Sequence, residues 1–334
     1  MHKFGKVVLS RKGFDSSAGG DFSPFDPETG KYIVLPIPMG EKELAISNHL
    51  KYEEIKIKKN HLDGCPETDL KSLRMKSLRI EKATITVKDK KEESEYTHFD
   101  PWLGPCPWLA GDSNHQIGAF GQVGGAQTHL KTKDVGEGSL FLFFSRFKPI
   151  KPISQNTEKG IVPGISSKHL NEGLYFIYGW LKVKKVIQQY KDIKDIIDDK
   201  SLQSLKSLHP HATEKYFEKY ANKKGKNTLY IADKLLFNDG SNFPGCGYFP
   251  RLNKDLCLTA SDLAQAQKPG NWIPSRWKLP GFFYDTRPSF LCKEEWSKSE
   301  DDTCLVKIPK RWQEAVFDET EKFCQWFDRL LESC

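Results

Sequence analysis

The chain has 334 residues, 38% of them apolar and 28% charged, which suits one large or two ordinary domains with a real core. No apolar run approaches the length of a membrane span and the N-terminus lacks the apolar segment of a signal peptide, so a cytoplasmic protein with no membrane partner is expected. The net charge of +7, from 51 Lys and Arg against 44 Asp and Glu, excludes a histone-like polycation but permits contacts to nucleic-acid phosphates. The eight cysteines are scattered with no CxxC pair, which argues against a structural zinc site and for reduced thiols.

In chain order, Val7–Leu9 reads as a strand, followed by a loop of small, polar and charged residues up to Gly20. A loop without bulk lets a ligand's backbone or phosphate approach closely. Arg11 and Lys12 bring positive charge to it, Asp15 a possible base or nucleophile, and Ser16 and Ser17 two hydroxyls; a plain polar hairpin turn is the competing reading. Tyr32–Leu35 reads as a second strand, and residues 41–97 as edge strands or short helices with solvated faces. The stretch His98–His129 is rich in Gly, Pro and Trp and lacks Lys, and it is expected to be one long functional loop. It carries His98, Asp100, Asp112, Asn114, His115, Gln122, Gln127 and His129, and amide side chains offer the paired donor and acceptor that reading a base edge needs.

Leu140–Phe144 and Leu174–Val186 are apolar strands joined by a Lys-, Pro- and Gly-rich connection, residues 149–173. Residues Ile187–Leu208 have helical period and end at His209-Pro210-His211, where the proline stops the helix. Two imidazoles around a proline can bind a metal, contact phosphate or cap carbonyls. A helix over Thr213–Lys224, a strand at Thr228–Ala232, a helix capped by Thr259 or Ser261, and an amphipathic closing helix over Trp312–Leu331 complete the pattern. The expected architecture is α+β: a mixed sheet, or a partly open barrel loosely resembling PUA-like domains, with peripheral helices in a single compact unit. Residues 1–290 would form its main body and 291–334 a C-terminal helical closure.

Several of these segments together resemble a known family. They are Ser10–Ser17 with Gly19-Gly20, Leu35–Pro38, Asp100-Pro101, Gly121-Gln122 with Ala126–Leu130, Leu140–Phe144, Gly179–Leu181 and His209–His211. The set, over about residues 4–285, resembles the third nucleotide-modification-associated domain family of phages and bacteria, found near genes for DNA base hypermodification and anti-phage defence. The resemblance implies DNA carrying modified bases as the partner, with no obligate protein partner. An enzyme acting on a base takes it out of the stack into a pocket. On this reading the leading expectation is a DNA glycosylase. Asp15 and Lys12 would be its catalytic residues, and Arg11, Ser16, Ser17, Asp100, Gln122, Gln127, His129, His209 and His211 would bind substrate. Such an enzyme needs no cofactor and no metal. A non-catalytic reader of modified bases is the first alternative. The second is a metal-dependent nuclease with Asp15, Asp100, His209 and His211 as ligands. The absence of GxxxxGK[ST] and GxSxG sequences argues against a kinase, an ATPase or a serine hydrolase.

Overall fold

Eight strands make one mixed sheet: β1 (Val7–Arg11), β2 (Ser23–Phe25), β3 (Ala119–Gln122), β4 (Leu140–Pro149), β5 (Leu174–Ile187), β6 (Thr228–Ala232), β7 (Cys246–Tyr248) and β8 (Glu314–Phe317). The structure is a computed structural model and describes residues 4–14, 18–19, 22–59, 61–62, 68–69, 83–87, 90–110, 118–151, 153, 162–196, 205, 207–266, 271–289, 295–299, 301–309 and 313–332. The strand order is β3-β6-β5-β4-β1-β8, with β7 paired to β5 and β2 to β4. β1 runs parallel to β4, and β8 closes that edge antiparallel to β1. Of the two architectures open to the sequence, the mixed α+β sheet is the one formed; among the described residues no pairing joins β3 to β8 into a barrel.

The centre of the sheet follows from the longest apolar runs. Leu140–Phe144 is fully buried at every position, the mark of a strand covered on both faces. Phe120, Phe141, Phe143 and Tyr230 meet across β3, β4 and β6 with ring centroids 5.0 to 5.9 Å apart. Burying each such ring contributes about 1.5–3 kcal/mol.

Several expectations are corrected. The stretch His98–His129 is not one loop. It contains β3 and a helix, α2 (Gly124–Thr132). β3 is only four residues long and includes a glycine, so it carries no period that a sequence pattern could show; its ladder comes from pairing with β6. The Asp112, Asn114 and His115 of that stretch lie outside the described residues. Tyr32–Leu35 forms one isolated bridge, Tyr32 to Phe25, instead of a strand. The closing helix is shorter than Trp312–Leu331. Glu314–Phe317 is the buried edge strand β8, and a helix, α4 (Glu321–Leu331), starts after Thr320, whose hydroxyl accepts the Phe323 N–H. Two further short helices matter below: α1 (Glu41–Leu44) and α3 (Glu214–Tyr220), the latter preceded by a single turn at Pro210–Ala212.

Candidate functional site

Side chains alternate across a strand, so β3 presents Phe120 and Gln122 on one face and Ala119 and Gly121 on the other. Each face meets a buried polar cluster.

The first cluster forms around Asp100, against Gly121. One carboxylate oxygen of Asp100, Oδ1, accepts the Gly121 N–H at 2.9 Å and faces His209 Nε2 at 3.0 Å. The other, Oδ2, lies 3.9 Å from His98 Nε2. His98 Nδ1 is 2.8 Å from Glu43 Oε1 on α1, and the Tyr216 hydroxyl of α3 donates to the same oxygen at 2.9 Å. His211 Nδ1 is 2.7 Å from Asn227 Oδ1, and the Asn227 amide donates to the His211 carbonyl at 2.8 Å. The two Nε2 atoms of His98 and His211 then face each other at 3.2 Å. The proline after His209 supplies the turn that brings both ends of His209-Pro210-His211 inward: His209 Nδ1 accepts the His211 N–H at 3.2 Å. Gly121 is required here, because a Cβ at that position would stand 2.1 Å from His211 Cγ.

Electrostatics in this cluster are strongly coupled. Burial pushes Glu43 upward, but the charge of His98 and its hydrogen bond outweigh burial and hold Glu43 at about 2. Burial pulls His98 downward, and the Glu43 charge and hydrogen bond together with the nearby Asp100 carboxylate lift it to about 9. Burial drives His211 down to about 3 against the Asp100 charge. Asp100 is held far below the usual carboxylate range: burial opposes this, and the hydrogen bonds to His209 and His98 prevail.

The second cluster lies on the other face of β3. Gln122 Nε2 donates to Glu314 Oε1 at 2.5 Å, and Lys12 Nζ is 3.6 Å from the same oxygen. Lys12 also lies over the Phe120 ring, 4.6 Å from its centroid. Glu314 is fully buried, and burial raises its pKa against Lys12, Ser10 and Gln122.

The expected site residues therefore divide. Asp100, His209 and His211 come together, and so do Lys12 and Gln122. Gln127 and His129 on α2 turn elsewhere. Gln127 Oε1 accepts the Tyr230 hydroxyl at 3.0 Å, and His129 Nε2 donates to the Ser289 carbonyl at 3.0 Å. Arg11 is half-buried at the end of β1, its N–H bonded to the Gln313 carbonyl. Asp15, Ser16 and Ser17 lie outside the described residues. Glu43, Asn227 and Glu314 complete the clusters and were not singled out by the sequence. Only Glu314 left a trace there, as an acid opening the apolar run Glu314–Phe317.

Two hollows adjoin the first cluster. A pocket of about 150 Å³ has Phe99, Trp102, Leu109 and Tyr248 among its walls, a volume close to that which holds one benzene ring. A cleft of about 20 Å³, room for one water, is lined by Asp100, Tyr178 and Gly13 and shares Phe99 and Tyr248 with the pocket.

The family model of nucleotide modification associated domain 3 matches residues 6–318. The chain belongs to that family. Its match begins at β1 and reaches through β8, so both polar clusters of this nucleotide modification associated domain lie within it. No curated protein and no solved structure matches the chain. No helix among the described residues is long and apolar enough to cross a membrane.

Proposed function

We propose that this nucleotide modification associated domain acts on a modified base in DNA as a glycosylase, cleaving the N-glycosidic bond. The observation that carries the reading is the buried Glu314 with Lys12 beside it, 3.6 Å from its carboxylate. Burial favours the form of Glu314 that carries a proton, which makes Glu314 the acid of the pair. In the reaction the Lys12 amine attacks C1′ of the sugar as the bond from C1′ to the base nitrogen breaks, and Glu314 passes its proton to the departing base; the bond from C1′ to O4′ then opens, O4′ taking up a proton as the amine loses one, to leave a Lys12 imine. Water then adds to the imine and releases the sugar from Lys12, with Asp15, three residues further along the sequence, as the base that activates it. Gln122 holds Glu314 in place. The phosphate-binding roles of Arg11, Ser16 and Ser17 belong to the same reading, whereas Gln127 and His129, bonded to Tyr230 and to the Ser289 carbonyl, stand outside it.

The test is incubation of the purified chain with DNA carrying hypermodified bases and with unmodified DNA, each with and without chelator, followed by mass spectrometry for free base and abasic sites. Release from the modified DNA alone, in chelator as well as without it, with a borohydride-trapped adduct that Lys12→Gln abolishes, is the expected result. Retention of modified DNA with no released base and no adduct would overturn the glycosylase reading in favour of a reader of modified bases.

A further inference from the structure

The Nε2 atoms of His98 and His211 pose a problem that their partners sharpen. A carboxylate only accepts hydrogen bonds, so the His98 nitrogen facing Glu43, Nδ1, carries a hydrogen. The Asn227 amide nitrogen is committed to the His211 carbonyl, so its oxygen faces His211 Nδ1, which therefore also carries a hydrogen. The two Nε2 atoms face each other across 3.2 Å, so in the metal-free chain the second proton that His98 keeps must stand between them. Asp100 Oδ2 adds a third group 3.9 Å from His98 Nε2, its other oxygen being held by His209 and the Gly121 N–H. A single proton between the rings satisfies two of these three groups. A divalent cation satisfies all three.

We propose that His98 Nε2, His211 Nε2 and Asp100 Oδ2 form a mononuclear site for a divalent first-row transition ion. The three side chains are buried and their ligand atoms all lie within 4.8 Å of one another. Ligand atoms at about 2.0–2.2 Å from a tetrahedral ion stand about 3.3–3.6 Å apart, so the 3.2 and 3.9 Å separations are close to that spacing, and the third pair, within 4.8 Å, must draw in as the ion binds. The surroundings are those that orient metal ligands: a carboxylate on the far nitrogen of one histidine, an amide oxygen on that of the other, and two donors on the spare oxygen of the aspartate. The donor set of two imidazoles and one carboxylate suits zinc, iron or cobalt better than magnesium or calcium, which prefer oxygen.

An independent feature points to the same place. Tyr178 is 1% exposed, its hydroxyl has no hydrogen-bond partner among the described residues, and the residue lines, with Asp100, the cleft of about 20 Å³. A buried hydroxyl left without a partner is costly. A water in that cleft would pair with it, and three protein ligands leave the ion a position for such a water or for substrate. The adjoining pocket of about 150 Å³, with Phe99 and Trp102 in its walls, places a space for one aromatic ring next to that position. This site lies on the opposite face of β3 from Lys12 and Glu314, so the proposal stands apart from the glycosylase reading.

The test uses the full chain, stripped with chelator and titrated with Co2+ as an optical probe and with Zn2+ by calorimetry. One ion per chain is expected, with visible cobalt bands of mixed imidazole and carboxylate ligation. X-ray absorption on the zinc-loaded chain should show scattering from two imidazole rings. His98→Gln and His211→Gln are expected to weaken binding at least 100-fold, whereas His169→Gln, outside the cluster, leaves it unchanged. Should either cluster variant fail to fold, the stoichiometry and the two-imidazole signature of the unaltered chain decide by themselves. Less than one ion per chain, or an ion whose spectrum lacks two imidazoles, would overturn the site and establish the proton-bridged pair instead. None of these readouts depends on base release, so the metal site and the glycosylase reading fail separately.

Discussion

Gly121→Ala is the substitution whose sign distinguishes the packing of the Asp100 cluster from a generic strand. The backbone of Gly121 is not in the left-handed region, so replacing it with alanine would ordinarily stabilise by about 0.4–1 kcal/mol through the unfolded chain. Here the new Cβ would stand 2.1 Å from His211 Cγ, 2.3 Å from Cδ2 and 2.7 Å from Cβ. His211 is anchored on both sides, by Asn227 and by the turn from His209, and cannot retreat cheaply. Overpacking of this kind costs about 1–3 kcal/mol, which reverses the sign. Gly125 is the control. It lies in the first turn of α2 with nothing within 4 Å of its Cβ position, so Gly125→Ala should stabilise by about 0.5–1 kcal/mol. An unfolding entropy of about 2.1 cal/mol/K per residue gives about 0.7 kcal/mol/K for the 334-residue chain. Thermal denaturation should therefore lower the Tm of Gly121→Ala by about 1.5–4 °C and raise that of Gly125→Ala by about 1 °C. If Gly121→Ala proved as stable as the unaltered chain or more so, His211 would not be packed against β3, and the geometry of the whole cluster would fall.

Further outcomes follow from the other buried groups. The Glu314 pKa is raised on folding, so its contribution to stability is fully present below its unfolded value of 4.5 and is lost as pH rises through the folded value. Unfolding followed against pH should show this loss in the unaltered chain, and Glu314→Gln should remove it; an unchanged slope in the variant would assign the effect elsewhere. Tyr178→Phe removes a buried hydroxyl without a partner, so the chelator-stripped protein should lose no stability on denaturant titration, whereas Zn2+ affinity should fall through the lost water contact. A destabilisation beyond about 1 kcal/mol in the stripped protein would show that the hydroxyl is bonded after all.

The runs Leu140–Phe144, the first ten residues of Leu174–Val186, and Thr228–Ala232 were legible as strands because burial on both faces writes a mostly apolar stretch into the sequence itself. The turn at His209-Pro210-His211 was legible because proline acts on its immediate neighbours. What such local signals cannot carry is who meets whom. β3 is too short and too mixed in character to declare itself, and it exists because β6 offers it a ladder. The acid at Glu314 stands 192 residues from its partner Gln122, and His98 stands 113 residues from His211. The strand order puts β3 and β8 at opposite edges of the sheet, and Gln122 reaches Glu314 only because the sheet curls until those edges face each other; His98 and His211 come from segments outside the sheet. The residue types for the chemistry were thus present in the sequence. The pairing of those residues into two buried clusters on the two faces of β3 came only from tertiary packing, where desolvation gives each unpaired charge or lone pair a cost that a neighbour from elsewhere in the chain must meet.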